Sequence, residues 1–241
     1  MSATRLGVWV LLLLVVAGLG VAMMMRGSGS RLFGERSPSA NVTGQAPAAI
    51  VRNEERALSR LGDYGRTPRF DLIRQDGNRF QDTDLLGKLW GGDFIFTSCA
   101  STCPIMTRQM QVLAESVPAS YGIQFVSFSV DPERDTPEAF TQYAQDYGID
   151  TTNWHFLTGE KQPLRDLVLR GFHLSVQDAS REDLLAGAEA VIHSTRFVVV
   201  DGEGVIRGYY DGTDEEAMQQ LINDLGVLGD KAASQAEPPT P

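Results

Sequence analysis

Cysteine is nearly absent from this sequence, which holds two among 241 residues, and histidine occurs only three times. That scarcity excludes a disulfide framework, and the lack of a second cysteine pair excludes a structural four-cysteine zinc site. No cysteine precedes position 99, so anchoring through a lipidated N-terminal cysteine is excluded as well. A basic block is also missing. With a formal net charge of −10, nothing in the chain is suited to a phosphate backbone, and nucleic acid is excluded as a partner. There is no internal repeat, and a hydrophobic content of 42% suffices for one core of ordinary domain size with appendages.

Among the features present, Leu6 to Met25 is a run of 20 residues without charge or proline, long enough to cross a bilayer core as a helix. It is read as a membrane anchor over residues 1–26. A cleaved signal peptide fits less well, because Met23-Met24-Met25-Arg26 offers no small-x-small cleavage site. Arg5 precedes the run while Arg26, Arg31 and Arg36 come after it, and the positive-inside count alone places the C-terminal domain in the cytosol. Large C-terminal domains translocate despite local charge, so the expected placement is on the outer side. Residues 27–64 read as a linker, rich in Gly, Ser, Pro and Arg as far as Ala49, with a short amphipathic helix over Ile50–Leu61. Residues 65–227 read as the folded domain and 228–241 as a disordered tail.

Within the domain, strand and helix signals alternate. Asp76-Gly77 predicts a hairpin between Arg69–Ile73 and Asn78–Phe80. Leu89–Phe96 is a mostly apolar run ending at the cysteine loop, Gln124–Val130 reads as the next strand, and Trp154–Leu157 as a third. Apolar residues at Ile105, Met106, Met110, Leu113 and Val117 predict a helix from Pro104 to Val117. Asp135-Thr136-Pro137-Glu138 opens another, with Asp135 or Thr136 as N-cap, and Gln162–Gly171 and Asp214–Leu225 complete the helices. Thr195–Val200 and Val205–Tyr210 read as a late hairpin around Asp201-Gly202. The order predicts an α/β fold, a mixed sheet sandwiched by helices, with functional loops at the C-terminal strand ends where Cys99 and Asp131 fall.

Both cysteines lie in Thr97-Ser98-Cys99-Ala100-Ser101-Thr102-Cys103-Pro104, between an apolar run and a helical pattern. With Cys103 in the first helical turn, the two side chains share a face and their sulfurs can converge. Free N–H groups and the positive helix end there favour thiolate over thiol. Such a pair suits soft-metal binding or thiol exchange, and the separation can also close a disulfide. Small polar neighbours argue against simple apolar packing of both cysteines.

The motifs Phe70-x-Leu72 before Asp76-Gly77, Phe94-Ile95-Phe96-Thr97-x-Cys99-x-x-x-Cys103-Pro104, Ser129-Val130-Asp131-Pro132-Glu133-Arg134-Asp135-Thr136-Pro137, Trp154-x-Phe156-Leu157-Thr158-Gly159 and His193-Ser194 together resemble the Sco/SenC family. That resemblance implies a thioredoxin-like fold on a single membrane anchor, facing the periplasm or the mitochondrial intermembrane space. It implies a copper-binding role in assembling the dinuclear copper centre of cytochrome c oxidase, with the oxidase subunit as partner. The ligands it implies are Cys99, Cys103 and His193. Two thiolates and one imidazole suit Cu(I), whereas Cu(II) calls for an added oxygen ligand or a tetragonal arrangement. The chain departs from the family pattern in the uncharged insert Ala100-Ser101-Thr102 and in Ile192, where Asp is common before the histidine. Both departures remove acceptors that could orient the imidazole or offset the metal's charge.

The resemblance leaves two readings of the same cysteine pair, a copper chaperone or a thiol–disulfide oxidoreductase, with His193 as the discriminating residue. A peroxidase is a weaker third, resting on Thr97 and Arg108 alone. His155 reads as a surface or core-edge residue and His173 as a helix-end cation. Asp131 reads as a turn residue within reach of the cysteine loop, and Met106 and Met110 as core.

Overall fold

The Asp76-Gly77 turn closes as its dipeptide predicts: Gly77 has φ +80, a conformation glycine adopts without strain, and the Arg74 amide donates to the Asn78 carbonyl at 2.8 Å. It joins β1 (Asp71–Arg74) to β2 (Arg79–Gln81). The computed structural model describes residues 59–178, 180–181 and 191–236. The proposed anchor at Leu6–Met25, most of the Ile50–Leu61 helix and the last five residues lie outside them. Among the described residues, no helix is long and apolar enough to cross a membrane.

A seven-stranded mixed sheet forms the centre, in the order β2-β1-β5-β4-β3-β8-β9. Its middle is β3 (Trp90–Ile95), parallel to β4 (Gln124–Ser129), which is parallel to β5 (Trp154–Thr158). On the other side β3 pairs antiparallel with β8 (Arg196–Val200), which forms the predicted late hairpin with β9 (Ile206–Asp211). Every residue of β3 is buried, as a near-continuous apolar run with helices on both faces requires. β6 (Val176–Asp178) and β7 (Val191–His193) form a separate two-stranded sheet that the sequence pattern does not predict. At three residues each, they are too short for alternation to announce them.

The helices are α1 (Cys103–Ser116), α2 (Pro137–Asp146), α3 (Lys161–Asp166) and α4 (Glu215–Ala236). Strand parity separates two aromatic clusters. Phe94 and its register partner Phe128 stack at 5.4 Å on one face, where Phe172 meets both at 5.2 and 5.5 Å. Phe172 gets there through a π-turn over Leu167–Gly171, so the helix expected to run from Gln162 to Gly171 is regular only to Asp166. On the opposite face Phe156 packs on Phe140 of α2 at 5.4 Å, and the buried Met106, Met110 and Leu113 of α1 cover the strands.

One boundary differs from expectation, and at another the structure selects between two expected caps. α4 runs to Ala236, nine residues into the 228–241 stretch expected to be a disordered tail. Half-buried Leu228 holds this part of the helix to the core, Tyr121 donates a hydrogen bond to Asp230, and the alanines beyond have high helix propensity. At α2, Thr136 is the N-cap and accepts from the Ala139 amide at 3.2 Å, leaving Asp135 turned inward.

Candidate metal centre

β3 ends in a turn at which the Cys99 amide donates back to the Phe96 carbonyl at 3.2 Å. Cys103 opens α1, with Pro104 in the first turn where a missing N–H costs nothing. This is the arrangement the four-residue spacing predicts. The Cys103 amide, one of the helix's free donors, points at Cys99 Sγ from 3.3 Å. Both cysteines are free thiols, Cys103 fully buried and Cys99 8% exposed.

His193 arrives from elsewhere. It ends β7, paired with Val176 of β6, and its Nε2 lies 3.4 Å from Cys103 Sγ. Its Nδ1 sits 3.0 Å from the Ser194 carbonyl, which can only accept, so Nδ1 carries the proton and the Nε2 lone pair faces the sulfurs. The imidazole also rests edge-on against Phe96 at 5.5 Å. The ligating atoms of Cys99, Cys103 and His193 all lie within 4.8 Å of one another, the one such cluster of three among the described residues.

The two thiols are not equivalent. Burial pushes Cys99 up, but the amides of Cys103 and Ser101 and the side chains of the same residues outweigh it, leaving Cys99 below its usual range. Burial pushes Cys103 far above its usual range. The Phe96 backbone opposes that rise, while Cys99 and the charge of Asp93 add to it. Cys99 is therefore the readier thiolate, and Cys103 ionises only when something replaces its proton.

The other residues of interest lie apart from this cluster. His155 is buried, 3.0 Å from the Gln124 side chain, and burial lowers its pKa to about 4. His173 is exposed with φ 54 beyond the π-turn. Asp131 is paired with Arg134, and none of its described hydrogen bonds reaches the cysteine loop. Met106 and Met110 are fully buried core, as their helical spacing predicts. Arg108 is hydrogen-bonded to Gln111 on the surface, and Thr97 to Asp135, so the pair behind the peroxidase reading is not assembled at the thiols.

Beside the cysteine loop and its strand, sequence reasoning missed two buried carboxylates. Asp93 lies in the centre of β3 with its Oδ1 2.6 Å from Ser127 Oγ and no partner for Oδ2. Trp154 Nε1 donates to the same hydroxyl at 2.9 Å. Burial raises the Asp93 pKa to about 7 against the pull of the Ser127 hydrogen bond. A charged residue inside an apolar strand was the available signal. Asp135, also fully buried, had only its place in a capping motif, which pointed outward instead.

A Cys-x-x-x-Cys turn opening a helix under a remote histidine, on this sheet, matches a known architecture. Residues 61–226 match SCO1/SenC along most of the described chain. The chain belongs to that family. It is 34% identical to the SCO1 protein homolog of Bacillus subtilis over 158 residues, spanning 65% of this chain and 79% of that one. A candidate copper-binding protein of Stutzerimonas stutzeri is 28% identical over 165 residues, 65% of this chain and 78% of that relative. Among solved structures, BsSco superposes with a TM-score of 0.58 at 30% identity, covering 73% of this chain and 96% of that one. BsSco is described as a member of the Sco family of cytochrome c oxidase assembly proteins, with a disulfide switch. The expected thioredoxin-like α/β architecture is thus the Sco fold.

Proposed function

We propose that this protein is a membrane-tethered copper chaperone, carrying Cu(I) on Cys99 Sγ, Cys103 Sγ and His193 Nε2 and passing it to the copper-binding subunit of cytochrome c oxidase. The observation that carries the reading is the convergence of two sulfurs and an imidazole nitrogen within 4.8 Å. Soft thiolates with one borderline imidazole match a soft cation of low coordination number, and among the described residues no carboxylate joins the cluster to favour a harder metal. The cargo displaces the proton of the buried Cys103 thiol, so its positive charge meets the thiolate that burial disfavours. Delivery proceeds by ligand exchange, the partner's thiolates or imidazoles replacing the three donors one at a time. The copper-binding relative and the oxidase-assembly relative support the cargo and the partner. The apolar run at Leu6–Met25 supports a single-pass anchor, with the domain in the periplasm or, in a mitochondrion, the intermembrane space. One Cu(I) per reduced protein is expected in titration against a chromophoric chelator, with binding lost in Cys99→Ser and in Cys103→Ser. Unchanged stoichiometry in either variant overturns the assignment.

The inequality of the thiols favours a second reading, thiol–disulfide exchange with an oxidase subunit. Cys99, the more exposed and more acidic, attacks one sulfur of the partner's disulfide and releases the other as a thiolate. Cys103 then attacks Cys99 Sγ, closing the intramolecular disulfide and freeing the partner reduced. His193→Ala separates the readings, since it weakens copper binding and leaves the exchange intact.

A further inference from the structure

The Asp135 carboxylate is completely buried 38 positions along the chain from Thr97, yet most of its hydrogen bonds converge on the start of the cysteine loop. Its Oδ1 accepts from the Thr97 amide at 2.9 Å and from Thr97 Oγ1 at 2.6 Å. Its Oδ2 accepts from Ser129 Oγ at 2.6 Å, at the end of β4. That hydroxyl in turn accepts the Asp131 amide at 3.0 Å, and the Asp135 amide returns to the Asp131 carbonyl at 3.0 Å. One carboxylate thus ties the residue two before Cys99 to the end of the neighbouring strand. Thr97 gives it both its donors, and no water competes for them at zero exposure.

We propose that Asp135 is a positioning residue for the metal centre, clasping Thr97 so that Cys99 Sγ is held against the amide of Cys103 and within reach of the Cys103 and His193 donors. The proposal rests on the copper reading for its main readout, but the placement of the thiols is testable without copper. Two hydrogen bonds from Thr97 and one from Ser129 meet on this buried carboxylate and link the start of the loop to the end of β4, beside the Val130 amide bond to the Ile95 carbonyl. A glycine-free turn of small polar residues has several conformations of similar energy, and the clasp selects the one in which the donors converge. Groups bonded directly to a ligand typically carry about ten- to a hundredfold of metal affinity, and a clasp acting one step back through Thr97 falls at or below the lower end of that range.

In the full-length protein, Asp135→Asn keeps the volume but removes the charge and sets an NH2 donor against either the Thr97 donors or the Ser129 hydroxyl, whereas Thr97→Ser keeps both donors and serves as the conservative rescue. Thr97→Val, which removes only the hydroxyl donor, stands in if Asp135→Asn fails to fold. Asp224→Asn, a buried carboxylate bonded to Arg60 and Tyr210 instead of the loop, controls for general destabilisation. Two quantities are read in each variant: Cu(I) affinity by chelator competition, and the dithiol–disulfide equilibrium in glutathione buffers. The expected result is a Cu(I) affinity several-fold to about tenfold weaker in Asp135→Asn. A several-fold shift toward disulfide accompanies it, because the loop held in the dithiol geometry is released. Thr97→Ser and Asp224→Asn should match the parent in both readouts. Equal affinity and equal thiol equilibrium in Asp135→Asn and the parent overturn the proposal while leaving the copper reading intact. If the parent binds no Cu(I), the copper reading fails and the thiol equilibrium alone decides for or against Asp135.

Discussion

At the scale of single residues, the centre depends on the protonation and oxidation state of two sulfurs. A soft cation needs both as thiolates, so a Cys99–Cys103 disulfide leaves it only the His193 imidazole. The oxidised protein should bind no Cu(I) under non-reducing conditions and recover binding after reduction with a dithiol, and bound copper should shield both thiols from alkylation. Undiminished binding by the oxidised form places the site elsewhere. His193 has a narrower role. Its Nδ1 bond to the Ser194 carbonyl sets the tautomer from within its own strand end, without the acidic neighbour that Ile192 replaces. The family's preceding aspartate is therefore not needed to aim this imidazole.

At the scale of elements, β3 carries both the route to the cysteine loop and an ionisable group that works against it. Asp93 titrates near 3.8 in an unfolded chain but at about 7 in the buried strand. The folded protein therefore holds the proton more tightly, so this group's effect is absent well below pH 4 and costs stability progressively as pH rises through 7. Three units at about 1.4 kcal/mol each bound that cost at roughly 4 kcal/mol. Asp93→Asn should match the parent at pH 4 and exceed it in stability by up to a few kcal/mol at pH 8, read by urea unfolding at both pH values. Equal stability at pH 8 shows that Asp93 is not strained by burial. The same element explains why the fold was readable. Its mostly apolar run, interrupted by Asp93, and the helical period after Pro104 are local patterns, and they put the strand end, Cys99 and Cys103 in order without any tertiary information. β6 and β7 are three residues each and exist only because they pair with each other, which no local pattern records.

At the scale of the molecule, the described chain closes on itself through a half-buried ion pair. Asp224 of α4 has no exposure and accepts from Arg60 at 2.6 Å and from the Tyr210 hydroxyl of β9 at 2.8 Å. Removing the arginine strands a buried carboxylate, so Arg60→Ala should cost about 1–3 kcal/mol, below the full cost for a buried pair because the arginine itself is 40% exposed. Arg79→Ala, which breaks the exposed pair with Asp71, should change stability by less than about 1 kcal/mol. Urea midpoints compare the two, and equal effects mean that Asp224 is adequately solvated without its partner.

The sequence by itself determined the alternating α/β order, the hairpin at Asp76-Gly77 and the convergence of Cys99 with Cys103, because each arises from periodicity, turn chemistry or spacing within a few residues. Its motifs in order also determined the family. Which thiol is the more acidic, and the seating of His193 90 positions beyond Cys103, were decided only by tertiary structure. So was the inward turn of Asp135 beneath Thr97. Burial, amide direction and long-range hydrogen bonds are properties of the packed chain, and residues 38 or 90 apart acquire them only when the sheet brings its strand ends together.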